Sequence, residues 1–362
     1  MTVLIIANDG EGLYQFRKEL IAELLKNNEV YATVPEDSYK KDLEDMGIHL
    51  SAIKLNRHGV NPIEDLHLIV QYIQLCKRIR PDVVLTYTIK PNVYGGMVCR
   101  ICKIPYISNI TGLGTAVENG GIIQKITLFL YRIGLKNAKT VFFQNKENQQ
   151  FMIDKKVVKN NYELLPGSGV NLNYFEIMSY PSNEKIVFSF ISRIMKEKGI
   201  EEYLEAAKII HEMYPNTEFH ICGYCEQDYE KKLKEYSDAG IIIYHGCIRD
   251  VREMHRISHC TILPTFYPEG LSNVLLESLA CARPIITTNR SGCREVVDDG
   301  INGFIVRQQD ANDLIEVIQK FLSLNNEERM KLGKNGRKKV ECYFDRKIVV
   351  RKYIEAIKKS GN

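Results

Sequence analysis

Residues 263–284 read LPTFYPEGLSNVLLESLACARP, and this stretch decides the fold class. Together with the three residues before it, the start of this stretch forms the apolar run CTILPTF (260–266). Such a run is typical of a buried parallel strand. The segment YPEG then predicts a tight turn. From Leu271 onward apolar residues recur at helical spacing, until Arg283 and Pro284 end the helix. A strand, a tight loop and a helix in this order form the repeating unit of a parallel α/β sheet.

The start of this helix predicts a site for an anion such as a phosphate. Backbone N–H groups in a first helical turn have no intrahelical partners, and the helix dipole adds positive potential. The pattern places four such N–H groups in the first turn, those of Gly270, Leu271, Ser272 and Asn273.

Two glutamates bracket the anion site, Glu269 before the helix and Glu277 inside it. Eight residues at about 100° each place them roughly 80° apart around the helix axis, so they can serve different parts of one ligand. A carboxylate accepts hydrogen bonds from paired hydroxyls, which suits a sugar and a ribose joined by phosphates. Alternatively, both are solvated charges on the helix surface. The pairing, with Gly270 and the anion site between them, favours ligand binding.

The spacing of the two glutamates resembles the E-x7-E signature of the retaining glycosyltransferases of family 4, which have the two-domain GT-B fold. Four further segments resemble motifs of this family, in the family's order: NDGEGLYQFRKEL (8–20), LPGSGVN (165–171), SRIMKEKGI (192–200) and CARPIITTNRSGCREVVDDGINGFIV (281–306). The resemblance covers nearly the whole chain. One departure is Ala282, where the family usually has glycine. Because it lies at the helix end, we expect a tolerated cap change.

Strand-like and helix-like segments alternate through both halves of the chain, which predicts two doubly wound parallel sheets. The alternation lapses around residues 174–184, and two domains are the natural expectation for 362 residues. The resemblance implies an α/β GT-B architecture of two Rossmann-like domains whose sheets face each other across a cleft. Its parts are an acceptor-binding domain (1–173), a linker (174–184), a nucleotide-sugar-binding domain (185–345) and a C-terminal helix that packs on the first domain (346–362).

Two cations follow the first strand of the second half. Arg193 comes directly after IVFSFIS, and Lys198 lies in the turn before Gly199. Arginine offers a fork of donors and lysine a point charge, so together they can hold a diphosphate; alternatively, both are solvated loop charges.

The resemblance favours diphosphate binding, because the family's diphosphate-binding pair matches Arg193 and Lys198. It implies that these two cations and Glu269 are the catalytic residues. The cations stabilise negative charge on the departing phosphate. Glu269 contacts the donor sugar, and Glu277 contacts the ribose.

No Asp-x-Asp pair occurs in the chain, whereas many metal-using transferases hold Mg²⁺ or Mn²⁺ through such a pair. This agrees with a metal-independent reaction in which the UDP-sugar is a substrate and no cofactor takes part. Two CxxC pairs, Cys99/Cys102 and Cys222/Cys225, lie more than one hundred residues apart. We interpret them as structural thiols rather than as a zinc site.

The loops after strands of the first half predict the acceptor side of the site. The first loop, NDGEG, is a weak match to a dinucleotide-binding fingerprint. That fingerprint needs a third glycine three residues after Gly12, and Gln15 stands there instead. Many relatives have a histidine in this half, but no His occurs between His67 and His211. Ligands bind at the carboxyl ends of parallel strands. With the resemblance, this makes the acceptor candidates Gly10, Gly12, Lys90, Asn109 and Thr111.

Two residues of the second half have weaker claims to function. His245 ends the predicted strand IIIYHG, near the expected nucleotide base. As a single histidine without a partner, it is predicted to pack or to bond the backbone rather than to catalyse. Glu295 matches a family loop near the cleft, and a structural role is equally expected for it.

Composition and charge argue against several other classes of protein. A net charge of +4 without an arginine-rich tract argues against nucleic-acid binding. No apolar run reaches the length of a membrane span, and the first residues do not resemble a signal peptide. Ten cysteines without such a signal indicate a reducing compartment.

One basic segment predicts contact with an anionic membrane surface. Residues 103–159 carry nine Lys or Arg and three Asp or Glu, a net charge of +6. Within them, GIIQKITLFLYRIGLK (121–136) combines bulky apolar residues with basic ones, which is typical of a helix resting on a membrane. The alternative is an ordinary half-buried helix with a solvated basic face.

Together, the residues and the resemblance predict a retaining, metal-independent hexosyltransferase. Within the family, the first-domain segments are most similar to bacterial enzymes of capsule, O-antigen and protein N-glycan synthesis, including those that add N-acetylgalactosamine (GalNAc) to an undecaprenyl-diphosphate-linked sugar. We expect a hexose or N-acetylhexosamine, GalNAc above others, to pass from a UDP-sugar to a polyprenyl-diphosphate-linked sugar. The enzyme would be cytoplasmic and peripheral on the inner face of the cell membrane. The alternatives are a GT-B sugar-nucleotide epimerase and a catalytically silent nucleotide-binding module.

Overall fold

The computed structural model describes residues 1–36, 38–55, 61–118, 120–182 and 184–360, which form two compact units. The first unit is Met1–Gly169 together with Arg346–Asn362, and the second unit is Val170–Asp345. Among the described residues, no helix is both long enough and apolar enough to span a bilayer.

The first unit is built on a seven-stranded parallel sheet. Its strands are β1 (Thr2–Ile6), β2 (Glu29–Val34), β3 (His49–Ala52), β4 (Val83–Tyr87), β5 (Tyr106–Ile110), β6 (Thr140–Phe143) and β7 (Tyr162–Leu164). They follow the order β3-β2-β1-β4-β5-β6-β7. In β1, Val3 and Ile5 belong to one core cluster, and Leu4 and Ile6 belong to another. Both faces of the sheet are therefore buried at β1, which explains why this central strand is almost continuously apolar.

Some helices of the first unit start at polar caps that the sequence supplies. The helices of this unit are α1 (Gly10–Leu25), α2 (Lys40–Asp45), α3 (Pro62–Ile79), a π-helical turn (Pro91–Gly95), α4 (Gly96–Cys102), α5 (Thr115–Glu118), α6 (Gly121–Leu135) and α7 (Lys146–Asp154). Asp9 caps α1 by accepting a hydrogen bond from the Gly12 N–H, and Asn61 caps α3, whose first residue is proline.

The C-terminal helix (Arg346–Ser360) belongs to the first unit, as the predicted fold class requires. Its residues Val349 and Tyr353 are buried in the same core cluster as Leu20 and Leu24 of α1. Arg346 Nη1 donates to Glu19 Oε2 at 2.7 Å and to the Gln15 carbonyl at 3.0 Å. Apolar burial, worth about 1.5–3 kcal/mol per large side chain, and this partly buried ion pair hold the helix in place.

The second unit is built on a six-stranded parallel sheet in the same style. Its strands are β8 (Ile186–Ile191), β9 (Thr217–Cys222), β10 (Ile243–Tyr244), β11 (Cys260–Leu263), β12 (Ile285–Thr288) and β13 (Gly303–Val306). Its helices are a 3₁₀ turn (Lys196–Lys198), α8 (Ile200–Met213), α9 (Glu230–Asp238), α10 (Arg252–Ile257), α11 (Asn273–Ala280), α12 (Ala311–Ser323) and α13 (Asn326–Tyr343). The sheet order is β10-β9-β8-β11-β12-β13. The prediction of two doubly wound parallel sheets is confirmed.

In each sheet the chain adds strands first toward one edge and then toward the other. The point where this direction reverses is where the candidate site lies. In the second unit the reversal lies between β8 and β11, which pair directly with each other. In the first unit it lies between β1 and β4. In open parallel sheets, ligands bind outside the carboxyl ends of the strands at such a reversal.

Candidate functional site

The site in the second unit is built from the loops that follow β8 and β11. The Phe266 N–H donates to the Glu197 carbonyl at 2.9 Å, and the Thr265 hydroxyl donates to the same carbonyl at 3.1 Å. Gly199 has a φ of 83°, and a Cβ there would collide with the Pro264 carbonyl. The two loops are therefore fastened to each other through backbone contacts that only glycine permits at residue 199.

Lys198 and Glu269 are directly bonded in this site. The Lys198 ammonium donates to Glu269 Oε1, and the two side chains are 8% and 16% exposed. A charged group at this depth is stable only when it is paired. The structure thus brings together two residues that the sequence proposed for the site.

Arg193 lies beside the same cluster and has its own carboxylate partner. Its Nη1 donates to Glu226 Oε2 at 2.5 Å. Its guanidinium carbon is 5.1 Å from the centroid of the Tyr267 ring, and Lys198 Nζ is 4.7 Å from the same centroid. Burial disfavours the charge of Arg193, but Tyr267 and Glu226 outweigh it and raise the pKa of Arg193. One aromatic ring therefore contacts both cations through its π-system.

Helix α11 begins later than the sequence predicts. Its first residue is Asn273, with Ser272 as the N-cap, so Gly270 and Leu271 precede the helix. The Ser272 N–H donates to the Gly292 carbonyl at 2.8 Å and is not available to a ligand. The prediction that all four N–H groups lie in the first turn is therefore wrong, because a tertiary hydrogen bond moves the helix start.

The carboxylate Glu277 lies in the second turn of α11 and is partly exposed. Helix α11 is fixed to the sheet by Ser278, whose hydroxyl donates to Thr261 Oγ1 at 2.8 Å. Glu277 therefore projects from a rigid element, whereas Glu269 belongs to the preceding loop.

The loop around Gly292 supports Glu269 from the other side. Gly292 has a φ of 90°, and a Cβ there would lie 2.6 Å from Glu269 Cβ. Its N–H donates to Glu295 Oε2 at 2.7 Å, and the Ser291 hydroxyl donates to Glu295 Oε1 at 3.3 Å. Glu295 thus orders the loop that packs against Glu269, which agrees with the structural role expected for it.

Sequence reasoning missed Glu226 and Tyr267. Tyr267 stands two residues before Glu269. Its place in the same turn is the sequence feature that could have indicated a role in the site. Glu226 comes just after the second CxxC pair, in a loop with no motif of its own. Its contact with Arg193 arises because β8 and β9 are parallel neighbours whose following loops meet.

The expectation that His245 has no partner is wrong. His245 Nε2 lies 2.9 Å from Nδ1 of His220, and the two rings are stacked with centroids 5.1 Å apart. Burial lowers the pKa of both imidazoles. Residue His220 pairs with Ile243 in the β9–β10 register, so the contact follows from strand pairing.

The cysteines of the CxxC pairs are free thiols. Cys99 and Cys222 are buried, and burial raises the pKa of Cys222 to about 12. In the part of the chain that the structure describes, no group of three or more His, Cys, Asp or Glu side chains is arranged to hold a metal ion.

The acceptor candidates of the first unit lie after strands of its sheet but differ in their surroundings. Gly10 begins α1 and Gly12 donates to the Asp9 cap, so both shape the loop after β1. Lys90 Nζ bonds Asp65 Oδ1 at 2.8 Å. Asn109 is 1% exposed and its amide donates to the Tyr353 hydroxyl at 2.5 Å, which ties β5 to the C-terminal helix. Thr111 follows β5 and is partly exposed.

Two family models match the chain. Residues 176–339 match the model described as glycosyl transferases group 1, and residues 2–145 match the one described as glycosyl transferase 4-like.

Individual relatives agree with the family models. An uncharacterized glycosyltransferase of Methanocaldococcus jannaschii is 37% identical over 281 residues, which cover 75% of this chain and 72% of that relative. The N,N'-diacetylbacillosaminyl-diphospho-undecaprenol alpha-1,3-N-acetylgalactosaminyltransferase of Campylobacter jejuni is 25% identical over 373 residues, 98% of each chain. Among solved structures, Anabaena HepE in complex with UDP-glucose has a TM-score of 0.83 at 17% identity and covers 99% of this chain and 100% of that chain.

The predicted family and fold are confirmed by these matches. The two family models together span most of both units, and the similarity to a solved structure extends over nearly the whole chain. The chain belongs to the group 1 glycosyltransferases and is a glycosyltransferase of the GT-B fold.

Proposed function

We propose that this glycosyltransferase moves a hexose or N-acetylhexosamine, GalNAc before others, from a UDP-sugar to a polyprenyl-diphosphate-linked sugar in bacterial glycan synthesis. The transfer retains the anomeric configuration and needs no metal. Support comes from the C. jejuni relative, whose name contains a lipid-linked acceptor and GalNAc, and from HepE, which was solved with UDP-glucose. The observation that carries the proposal is the cluster of Arg193, Lys198 and Glu269 beside the β8–β11 reversal.

The donor diphosphate is assigned to the two cations. Both lie about 5 Å from one ring centroid, so the Tyr267 ring limits the distance between them. When the bond between the anomeric carbon and the diphosphate breaks, negative charge grows on the departing UDP. Fixed cations favour that state over the ground state, which is the role of a divalent metal in other transferases.

The proposed reaction breaks one bond and forms another on the same face of the sugar. The anomeric carbon loses its bond to the diphosphate oxygen, which keeps the electron pair, and gains a bond to the acceptor hydroxyl oxygen. The hydroxyl proton passes to an oxygen of the departing diphosphate. Glu269 contacts hydroxyls of the donor sugar, and Glu277 contacts the ribose hydroxyls.

The test is release of UDP from a panel of UDP-sugars in EDTA. The acceptor is N,N'-diacetylbacillosaminyl-diphospho-undecaprenol, and each sugar is also assayed without it. We expect release from one UDP-sugar, only when the acceptor is present. Formation of an epimer without acceptor would identify an epimerase, and UDP binding without turnover would identify a silent nucleotide-binding module. Release that EDTA abolishes would refute the metal-independent mechanism.

Membrane contact is assigned to the first unit, whose helix α6 exposes a row of apolar side chains. Ile122, Ile123, Ile126 and Phe129 are 75%, 62%, 53% and 56% exposed. Lys125 is exposed on the same helix, and residues 103–159 carry a net charge of +6. Apolar insertion together with attraction to anionic lipid supports a peripheral position on the inner face of the cell membrane, where a lipid-linked acceptor is available.

Co-sedimentation with vesicles tests the membrane contact. Binding is expected to phosphatidylcholine vesicles that contain phosphatidylglycerol and to be weaker without it. The double variant Ile123→Ser/Phe129→Ser should lose most of the binding. The matched control is Ile177→Ser/Ile301→Ser, which removes two isoleucines of the second unit that are 62% and 55% exposed. If the α6 variant and the control variant bind the vesicles equally well, α6 is not the membrane contact.

A further inference from the structure

A cavity of about 550 Å³ lies in the first unit at the carboxyl edge of its sheet. Its walls come from residues after β2 and β3, from residues 64–71 of α3, and from Lys90 after β4. Its volume is in the usual range of small-molecule sites, and ligands bind at this edge of parallel sheets. All of its described lining residues belong to the first unit, and none of them is part of the cluster around Lys198.

Asp65 is a fixed hydrogen-bond acceptor in this cavity. Its Oδ1 accepts from Lys90 Nζ at 2.8 Å, and its Oδ2 accepts from the Tyr94 hydroxyl at 2.7 Å. The Lys90 and Asp65 side chains are each 15% exposed. Each carboxylate oxygen can accept a second hydrogen bond, and an ammonium has three hydrogens to donate. The Asp65–Lys90 pair therefore offers both acceptors and donors in a set orientation.

The remaining walls combine a polar amide with apolar surface. The Lys54 N–H donates to Gln71 Oε1 at 3.4 Å; among the described residues the amide hydrogens of Gln71 have no partner, so they can serve a ligand. Ile53, Leu55 and Leu68 supply apolar wall. A pyranose ring presents hydroxyls at its edge and C–H groups on its faces, and this lining matches both.

The charge of the lining argues against an anionic ligand. Among the described residues of the wall, Lys54 and Lys90 are balanced by Glu64 and Asp65, so these four charges sum to zero. A phosphate or carboxylate binds where cations or free N–H groups are in excess. A neutral polyhydroxylated ligand is not repelled by the two carboxylates and can donate hydrogen bonds to them.

We propose that this cavity binds the neutral saccharide of the acceptor, with Asp65, Lys90 and Gln71 as its hydrogen-bonding groups. The inference rests on the proposed function, because that function supplies a saccharide acceptor. It adds a location and a set of contacts for that saccharide within the first unit. Asp65 and Gln71 are binding residues in this proposal and take no part in the chemical step.

Initial rates at varied donor and acceptor concentrations test the proposal. For Asp65→Asn and Gln71→Ala we expect the KM for N,N'-diacetylbacillosaminyl-diphospho-undecaprenol to rise at least fivefold. The KM for the UDP-sugar and the Kd for UDP should stay within twofold of wild type. The matched control is Gln74→Ala, which removes an exposed glutamine from the same helix outside the cavity. Thermal unfolding of each variant shows whether the fold is intact.

The outcomes separate this inference from the function on which it rests. If wild type transfers sugar and both variants keep the wild-type acceptor KM, or raise donor and acceptor KM equally, the cavity assignment is wrong. If wild type transfers nothing, the proposed acceptor is wrong. The cavity is then judged by saturation-transfer NMR with the methyl glycosides of N-acetylglucosamine and GalNAc. A signal that Asp65→Asn removes and Gln74→Ala keeps supports the saccharide site, and no signal with wild type overturns it.

Discussion

Lys198 donates a hydrogen bond to Glu269 at a depth where only 8% of the lysine side chain and 16% of the glutamate side chain are exposed. At such depth a charge is costly unless a partner offsets it. The pair therefore holds both groups in place. It also makes the stability of the second unit depend on residues that we assign to the reaction.

Lys198→Met should reduce both stability and activity. Glu269 would lose the hydrogen bond from a charged lysine at 16% exposure, which should cost about 1.5–3 kcal/mol of unfolding free energy. Transfer should fall by at least a hundredfold, because a cation at the departing phosphate is lost. Urea unfolding measures the first effect and UDP release measures the second.

The double variant Lys198→Met/Glu269→Met is the control for this prediction. It removes both charges, so most of the lost stability should return while activity stays absent. A single variant that unfolds at the wild-type urea concentration would show that the ion pair does not stabilise the folded chain.

Glu226→Gln should increase the affinity for UDP. The Glu226 carboxylate accepts a hydrogen bond from Arg193 Nη1 at 2.5 Å, and a diphosphate must compete with it for the same donors. We expect the Kd for UDP to fall roughly threefold to tenfold, about 0.7–1.4 kcal/mol, when titrated by calorimetry at low salt. Glu212→Gln, at an exposed residue of α8, removes the same charge elsewhere and should leave the Kd unchanged. A weaker affinity in the Glu226 variant would mean that Glu226 positions Arg193 for the donor.

Tyr267→Leu should weaken UDP binding more than Tyr267→Phe does. The ring of Tyr267 faces both Arg193 and Lys198, and each cation–π contact is worth about 0.5–2 kcal/mol. Phenylalanine keeps the ring, so its Kd should remain within about threefold of wild type, whereas leucine should raise the Kd about tenfold. If both variants weaken binding equally, the hydroxyl of Tyr267 rather than its ring would matter.

The sheets could be predicted from the sequence, because alternating apolar runs and amphipathic segments encode strand and helix directly. The nearness of Lys198 and Glu269 could be expected too, since both follow strands that meet at the β8–β11 reversal. The start of α11 could not be predicted, because it depends on a hydrogen bond from Ser272 to Gly292, twenty residues further along. The His220–His245 contact likewise depends on a strand register that periodicity does not determine.

Ala282→Gly should stabilise the chain slightly. Ala282 follows α11 with a φ of 57°, a left-handed conformation that costs a residue with a Cβ about 1–2 kcal/mol. The change also removes one buried methyl group, worth about 0.8 kcal/mol, so the net gain should be at most about 1 kcal/mol. Ala282→Val, which is β-branched, should destabilise instead. Urea unfolding of both variants checks the order Gly, Ala, Val, and any other order would contradict the strain argument.

Acid should destabilise the second unit through His255. This imidazole is fully buried, and neither ring nitrogen has a hydrogen-bond partner among the described residues. Burial, with a smaller effect from the nearby Arg283 charge, lowers the pKa of His255 to about 3. Between the ordinary value of 6.5 and about 3, the unfolded chain binds a proton that the folded chain does not. The free energy of unfolding should therefore fall as pH falls through this range, by up to about 1.4 kcal/mol per pH unit.

The variant His255→Leu isolates this effect. Leucine carries no titrating group, so the loss of stability between pH 7 and pH 5 should be smaller than in wild type by about 1–2 kcal/mol. The matched control is His211→Leu, which removes a partly buried imidazole from α8. Urea unfolding at the two pH values measures each difference. The same pH dependence in wild type and His255→Leu would show that other groups, such as His259, whose pKa burial lowers to about 4, carry the acid sensitivity.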